Sequence, residues 1–234
     1  MKKIYYILIL LFVLNESLFS QLNIGLHNGL TINNGKYVAK DALVLPELTL
    51  IDYEMEVQNI SSFSFGGVIE TKLYSFLYLQ AEVNYLDHKF LPKSTVFFGG
   101  GSGDYWAKSF EYSFKYIEVP LLLKIKFDYE KFLPYCFAGV GIGLLYEATE
   151  SISEYFQWFD WPPRETNISE FIKHEQTFIT FGIGTDFLLS DMFSIFITVK
   201  YSNSLVDIAK RHQIYYKPNN YDFLLGIKTR IINY

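Results

Sequence analysis

Tyr116-Ile117-Glu118-Val119-Pro120-Leu121-Leu122-Leu123-Lys124-Ile125-Lys126-Phe127 is the stretch that decides the fold class. Every odd position is apolar, whereas Glu118, Lys124 and Lys126 stand on the even ones, so the stretch has period 2 and two chemically different faces. Seven further segments share this rhythm, and the strand candidates run over 22 to 32, 62 to 73, 76 to 88, 110 to 127, 133 to 147, 177 to 188, 192 to 204 and 221 to 232. Each is long enough to cross a bilayer as a tilted strand.

The connections carry a second signal. Those at 33 to 61, 89 to 109, 148 to 176 and 205 to 220 are long, whereas those around Tyr74-Ser75, Asp128 to Phe132 and Leu189 to Asp191 are short. A strict alternation of long and short is the asymmetry of outer-membrane barrels, with long loops outside the cell and tight turns at the periplasmic rim. The expected fold is therefore all-β: an eight-stranded antiparallel up-and-down transmembrane β-barrel.

The N-terminus is consistent with that destination. Lys2 and Lys3 precede an apolar run from Ile4 to Leu14, and residues 1 to 20 read as a secretory signal peptide ahead of a barrel domain over 21 to 234. Such a run is too short to span a bilayer as a helix. Without those residues the charge is about −6, which argues against nucleic acid as a partner. Aromatic residues make up 19% of the chain, a level that suits the girdles of a membrane barrel.

Faces can be assigned strand by strand. Leu77, Leu79, Ala81, Val83 and Tyr85 are expected to meet lipid, as are Phe193, Ile195, Ile197, Val199 and Tyr201, and Phe223, Leu225, Ile227 and Ile231. The lumen then receives Glu70, Lys72, Glu82, Glu118, Lys124, Lys126, Asp186, Lys200, Lys228 and Arg230. Eight strands enclose a space just wide enough for side chains, so these charges are expected to pair with one another in a polar core rather than line a channel. Gly139, Gly141, Gly143, Gly182 and Gly184 fall on the inward face, where small residues relieve crowding; no helical period follows them, so they do not read as a dinucleotide loop. Pro120 lacks a ladder donor, and a bulge or local break is expected there. Cys136 is alone, cannot form an internal disulfide, and reads as a packed small residue.

Tyr116 to Lys124, followed by Leu133-Pro134-Tyr135-Cys136-Phe137-Ala138-Gly139-Val140-Gly141, resembles the Y-x-E-x-P-L-L-x-K … P-Y-x-x-x-G-x-G signature of PorT-like outer-membrane β-barrel proteins of the Bacteroidetes type. Asn23-Ile24-Gly25-Leu26-His27-Asn28-Gly29 is similar to the first strand of that family. The resemblance implies an eight-stranded barrel in the outer membrane. It also implies an association with protein secretion for the members that give the family its name, and it brings no catalytic motif. The long third outer connection and the terminal Tyr234, where Phe is commoner, depart from the pattern.

No chemistry-bearing constellation stands out. His27, His88, His174 and His212 have no metal-ligand spacing, and neither a metal nor a cofactor is expected. Asp87-His88 resembles the Asp and His pairs of omptin-type proteases at the level of one dipeptide, with Asp207 or Asp222 as the positions for a second pair. A rim-active hydrolase and a periplasmic lipocalin-like carrier are the alternatives. The outer connections are richer: Phe97, Phe98, Tyr105 and Trp106 lie in the second, and Tyr155, Phe156, Trp158, Phe159 and Trp161 in the third. Aromatic clusters in exposed connections make contact surfaces, so the expected function is a non-enzymatic outer-membrane barrel whose loops bind a protein of the secretion or envelope-assembly machinery, a glycan or lipopolysaccharide. The other reading is that they cap the barrel mouth or rest in the lipid interface.

Overall fold

A computed structural model describes residues 21–33, 36–39, 53–59, 61–92, 96–99, 105–156, 159–160, 162–206 and 214–231. The expected signal peptide, Trp158, Trp161, Asp207 and Tyr234 lie outside these residues.

Eight long strands form the barrel: β1 (Leu22–Asn33), β2 (Ser61–Lys72), β3 (Leu77–Pro92), β4 (Tyr105–Lys126), β5 (Phe132–Phe156), β6 (Glu175–Leu188), β7 (Phe193–Ser204) and β8 (Asn219–Ile231). Each pairs antiparallel with its neighbours in sequence, and β1 pairs with β8 from Leu22↔Ile231 to Asn33↔Asn220, so the sheet closes on itself and leaves no edge. The short connections are tight turns, and Glu130, in the one between β4 and β5, takes a left-handed φ of 52°. Short strands over Lys36–Ala39, Tyr53–Asn59, Val96–Gly99, Phe159–Asp160, Arg164–Asn167 and Ile214–Lys217 occupy parts of the long connections.

Alternation puts aliphatic side chains outside. Leu26 is 68% exposed, Ile183 65% and Val140 57%, values that only a lipid environment accommodates around a whole barrel. Aromatic rings border this band above and below. Phe65 stacks on Tyr85 at 5.1 Å, and Tyr201 meets Phe181 at 5.1 Å and Tyr221 at 4.9 Å toward the outer end; Phe132 and Phe187 meet at 5.2 Å at the periplasmic end. Cys136 departs from the expectation of a packed residue: it lies on the outward face of β5 and is exposed toward lipid.

Inward glycines face aromatic rings on the neighbouring strand. Gly141 pairs with Phe178, and Gly184 with Tyr135; a Cβ on either glycine would collide with its partner's ring. The missing side chain is what lets a ring lie flat across the wall of so narrow a barrel.

Pro120 stays in register opposite Gly141, but the ladder to β3 lapses between Ala81↔Leu121 and Asn84↔Glu118, as the absent N–H requires. The register shift itself lies elsewhere. Lys115 faces Glu147 while Tyr116 faces Leu145, so Tyr146 is one residue too many on β5. Below it Val140, Ile142 and Leu144 point outward, and above it Glu147, Thr149 and Ser151 do. The bulge therefore switches which parity of β5 faces out.

Candidate functional site

Charges on the inner face bind one another across the lumen. Near the periplasmic end Glu70 accepts from Lys124 at 2.9 Å, Lys126 at 2.5 Å and Lys228 at 3.5 Å, and Asp186 lies 2.6 Å from both Lys126 and Lys228. Lys124 also bonds Gln80, and its ammonium sits 4.0 Å from the centroid of the Tyr135 ring. At mid-height Glu82 accepts from Gln80 at 2.6 Å, Asn84 at 2.9 Å and Lys200 at 3.4 Å. Lys200 reaches Asp222 at 3.3 Å, and Asp222 takes the Thr31 hydroxyl at 2.6 Å. Higher still, Gln176 donates to Glu118 at 3.1 Å. Arg230 is half-buried at the periplasmic end.

Sequence reasoning missed Asp222 as a member of this set, although the parity shared with Leu224 and Lys228 places it inward. It also missed His27, Asn33 and Gln176, polar positions that carry no formal charge and so leave no mark in a charge pattern.

Asp87 and His88 do not form a dyad. Adjacent residues of a strand face opposite ways, and Asp87 points outward, accepting from Ser113 at 2.6 Å, while His88 points into the lumen. The His88 ring lies 3.0 Å from Asn33 Oδ1 and 3.7 Å from Glu118. Asp222 is on the inner face with Lys200. Among the described residues, no cluster of three or more His, Cys, Asp or Glu could hold a metal ion.

Of the aromatic positions of the second and third outer connections, Phe97, Phe98, Tyr105, Trp106, Tyr155, Phe156 and Phe159 sit on strands rather than loops. β4 continues to Tyr105 and β5 to Phe156, ten or more residues beyond the end of the apolar band at Ile117 and Leu144. At roughly 3.3 Å per residue and a barrel tilt, that extension raises a wall about 25 Å above the lipid. Phe98 pairs with Trp106, Trp106 with Phe156 and Phe156 with Phe159, so one row across four strands holds aromatic residues from both connections. The adjacent row runs Phe97, Ala107, Tyr155 and Asp160, and Tyr105 pairs with Gly99.

Lower on the same wall, directly above the lipid band, lies a polar groove of about 290 Å³. Lys115 donates to Glu147 at 2.6 Å, and Lys89 lies 3.8 Å from Asp87. The Glu147 carboxylate beside Lys115 raises its ammonium above the usual lysine range. These groups lie on the outward face of the barrel, on the opposite side of the wall from the lumen charges.

Residues 15–210 match the model of a family described as the outer membrane protein beta-barrel domain. A comparison with curated proteins finds none that matches. Among solved structures, Neisserial surface protein A is 8% identical, with a TM-score of 0.44 over 88% of this chain and 97% of that one. Ail, the attachment invasion locus protein of Yersinia pestis, is 13% identical with a TM-score of 0.38 over 89% and 98%. The outer membrane protease OmpT of Escherichia coli is 8% identical with a TM-score of 0.47 over 93% and 99%. At these values no activity, ligand or partner carries over.

Proposed function

This chain belongs to the family of outer membrane protein beta-barrel domains, and from that premise we propose that it is a non-enzymatic outer-membrane barrel whose external wall binds a protein partner. Export through a cleaved signal peptide at residues 1 to 20 is part of the same proposal. The observation that carries it is the aromatic row of Phe98, Trp106, Phe156 and Phe159, assembled in register from two separate connections. Aromatic residues dominate the energetics of protein interfaces, and a paired sheet holds them at fixed spacing. The resemblance to PorT-like proteins supports a place in protein secretion or envelope assembly. A structural rather than conductive lumen is supported by the ion pairs that cross it. Its outward apolar face is the reverse of what a soluble lipocalin-like carrier needs, and the opposed faces of Asp87 and His88 argue against these two residues acting together as an omptin-like pair.

Capture of partners from the native envelope tests this. Trp106→Ala with Phe156→Ala is expected to leave heat-dependent gel mobility intact and to weaken partner recovery about tenfold or more. An unchanged set of partners, with the barrel folded, would reject the reading.

A further inference from the structure

Asn28 breaks the chemistry of the lipid face. The outward positions of β1 are Leu22, Ile24, Leu26, Asn28, Leu30 and Ile32, and Asn28 is exposed among them. At roughly 3.3 Å per residue it stands about 3 Å from the middle of that run, near the bilayer midplane. Its neighbours across the two ladders are Leu225 and Phe65, and its carboxamide has no hydrogen-bond partner among the described residues. Acyl chains offer it neither donor nor acceptor, and the headgroups are about 15 Å away. An unanswered amide in that position is costly. Thr71, Thr185, Thr229 and Asn203, also outward, stand nearer the rims of the span.

Gly67, on β2, is a second anomaly beside the first. Inward glycines are explained by crowding: a Cβ on Gly25, Gly29 or Gly66 would collide with the neighbouring strand. Gly67 points outward, and a Cβ there comes no nearer than 3.8 Å to any atom beyond its chain neighbours. A glycine weakens a strand, so one that its own chain does not require marks a close approach from outside. It leaves the backbone uncovered in a hollow bordered by Leu26, which faces it across the ladder. Leu26 lies one outward position below Asn28, and the tilt of the strands brings Gly67 to nearly the depth of Asn28.

Each feature supplies what the other lacks. A carboxamide in lipid needs a hydrogen-bonding surface, and uncovered backbone is one, since a carbonyl in a ladder keeps a second lone pair. Asn28 and Gly67 are diagonal across the β1–β2 ladder and do not meet within one chain. A two-fold axis brings them together: copies inserted by the same route share one orientation, and an axis along the membrane normal exchanges two points at equal depth. We propose that two copies of this chain associate through the β1–β2 face, with Asn28 of each seated over Gly67 of the other. The carboxamide N–H groups donate to backbone carbonyls there, and the Leu26 side chains, 68% exposed in a single copy, pack together near the axis. The contact lies within the membrane, separate from the aromatic rows of the external wall.

Energy transfer between copies of the full chain tests this. Cys136 is the single cysteine and lies on β5, across the ring from β1, so donor and acceptor dyes attached there in urea before refolding leave the proposed face clear. Co-refolded into phosphatidylcholine vesicles, the labelled chains are expected to show transfer above random mixing that falls with lipid dilution as a dimer dissociates. Asn28→Leu and Gly67→Leu keep the face apolar and the heat-dependent gel mobility intact, and each is expected to raise the dissociation constant about tenfold. Ile183→Leu, on the lipid face of β6, is expected to leave it unchanged. Transfer no greater than random mixing would overturn the proposal, as would transfer that survives Asn28→Leu or Gly67→Leu, or that Ile183→Leu weakens equally. Were one of the two β1–β2 variants not to fold, the other decides.

Discussion

Lys200 on β7 lies 3.4 Å from Glu82 on β3, and these two strands stand diametrically opposite in the closed ring. Their contact spans the whole lumen. The backbone ladder ties each strand only to its neighbours, so such pairs are the connections that brace opposite walls. Lys126 of β4 with Asp186 of β6, and Lys124 of β4 with Glu70 of β2, link strands two apart in the ring at the periplasmic end.

Removing the central cation leaves two carboxylates without it. Lys200→Met is expected to destabilise the barrel by about 3 to 5 kcal/mol, because Glu82 and Asp222 stay behind as poorly compensated buried charges. Lys200→Met combined with Glu82→Gln and Asp222→Asn should recover most of the loss. Urea titration followed by heat-dependent gel mobility measures both; an unaffected single variant contradicts the bracing role.

The outward face has its own test. Val140, midway along the apolar part of β5, is expected to tolerate Leu and to lose about 2 to 4 kcal/mol on substitution by Arg, the cost of a cation near the bilayer midplane. Refolding into vesicles reads this directly. A neutral Arg variant would mean that position 140 meets water.

Deleting Tyr146 should restore an uninterrupted ladder and turn the upper part of β5 over, sending Glu147, Thr149 and Ser151 toward the inside. With Cys136 replaced by Ala, a cysteine at Thr149 is expected to react with a bulky maleimide in the full chain and at least about tenfold more slowly in the deletion, as burial of a thiol dictates. Equal rates would show that the bulge does not set the facing.

Lys115 gives a pH prediction with a definite sign. Its ammonium is held above the ordinary range by Glu147, so the pair's contribution is fully present below the ordinary lysine value of ~10.4 and disappears as pH climbs through the raised value. The gap in stability between the full chain and Lys115→Met is expected to be flat from pH 7 to about 10 and to close above that, with a size of about 1 kcal/mol or less for so open a pair. A gap that closes near neutrality would assign it to another group.

Period 2 made the membrane part legible because a wall between lipid and a packed polar interior imposes a different chemistry on alternate residues. Leu121 and Lys124, or Ile197 and Lys200, reveal their faces without any structure. Above the lipid both faces are wetted and that contrast fades, so the strand extensions to Tyr105 and Phe156 read as loops. The register shift escaped for a related reason. Pro120 announces itself chemically, whereas Tyr146 becomes an extra residue only by comparison with its partner strand. The aromatic positions were visible as a composition; their alignment into rows depends on cross-strand register, which no single segment contains.

Tyr146 works like a clutch between the two halves of β5. The lower half is bound to a membrane code and the upper half to whatever the exterior demands, and the added residue lets each keep its own phase. Outer segments of different sequence could thus be spliced above this point without retuning the span below, which makes the external wall an exchangeable module on a fixed pedestal.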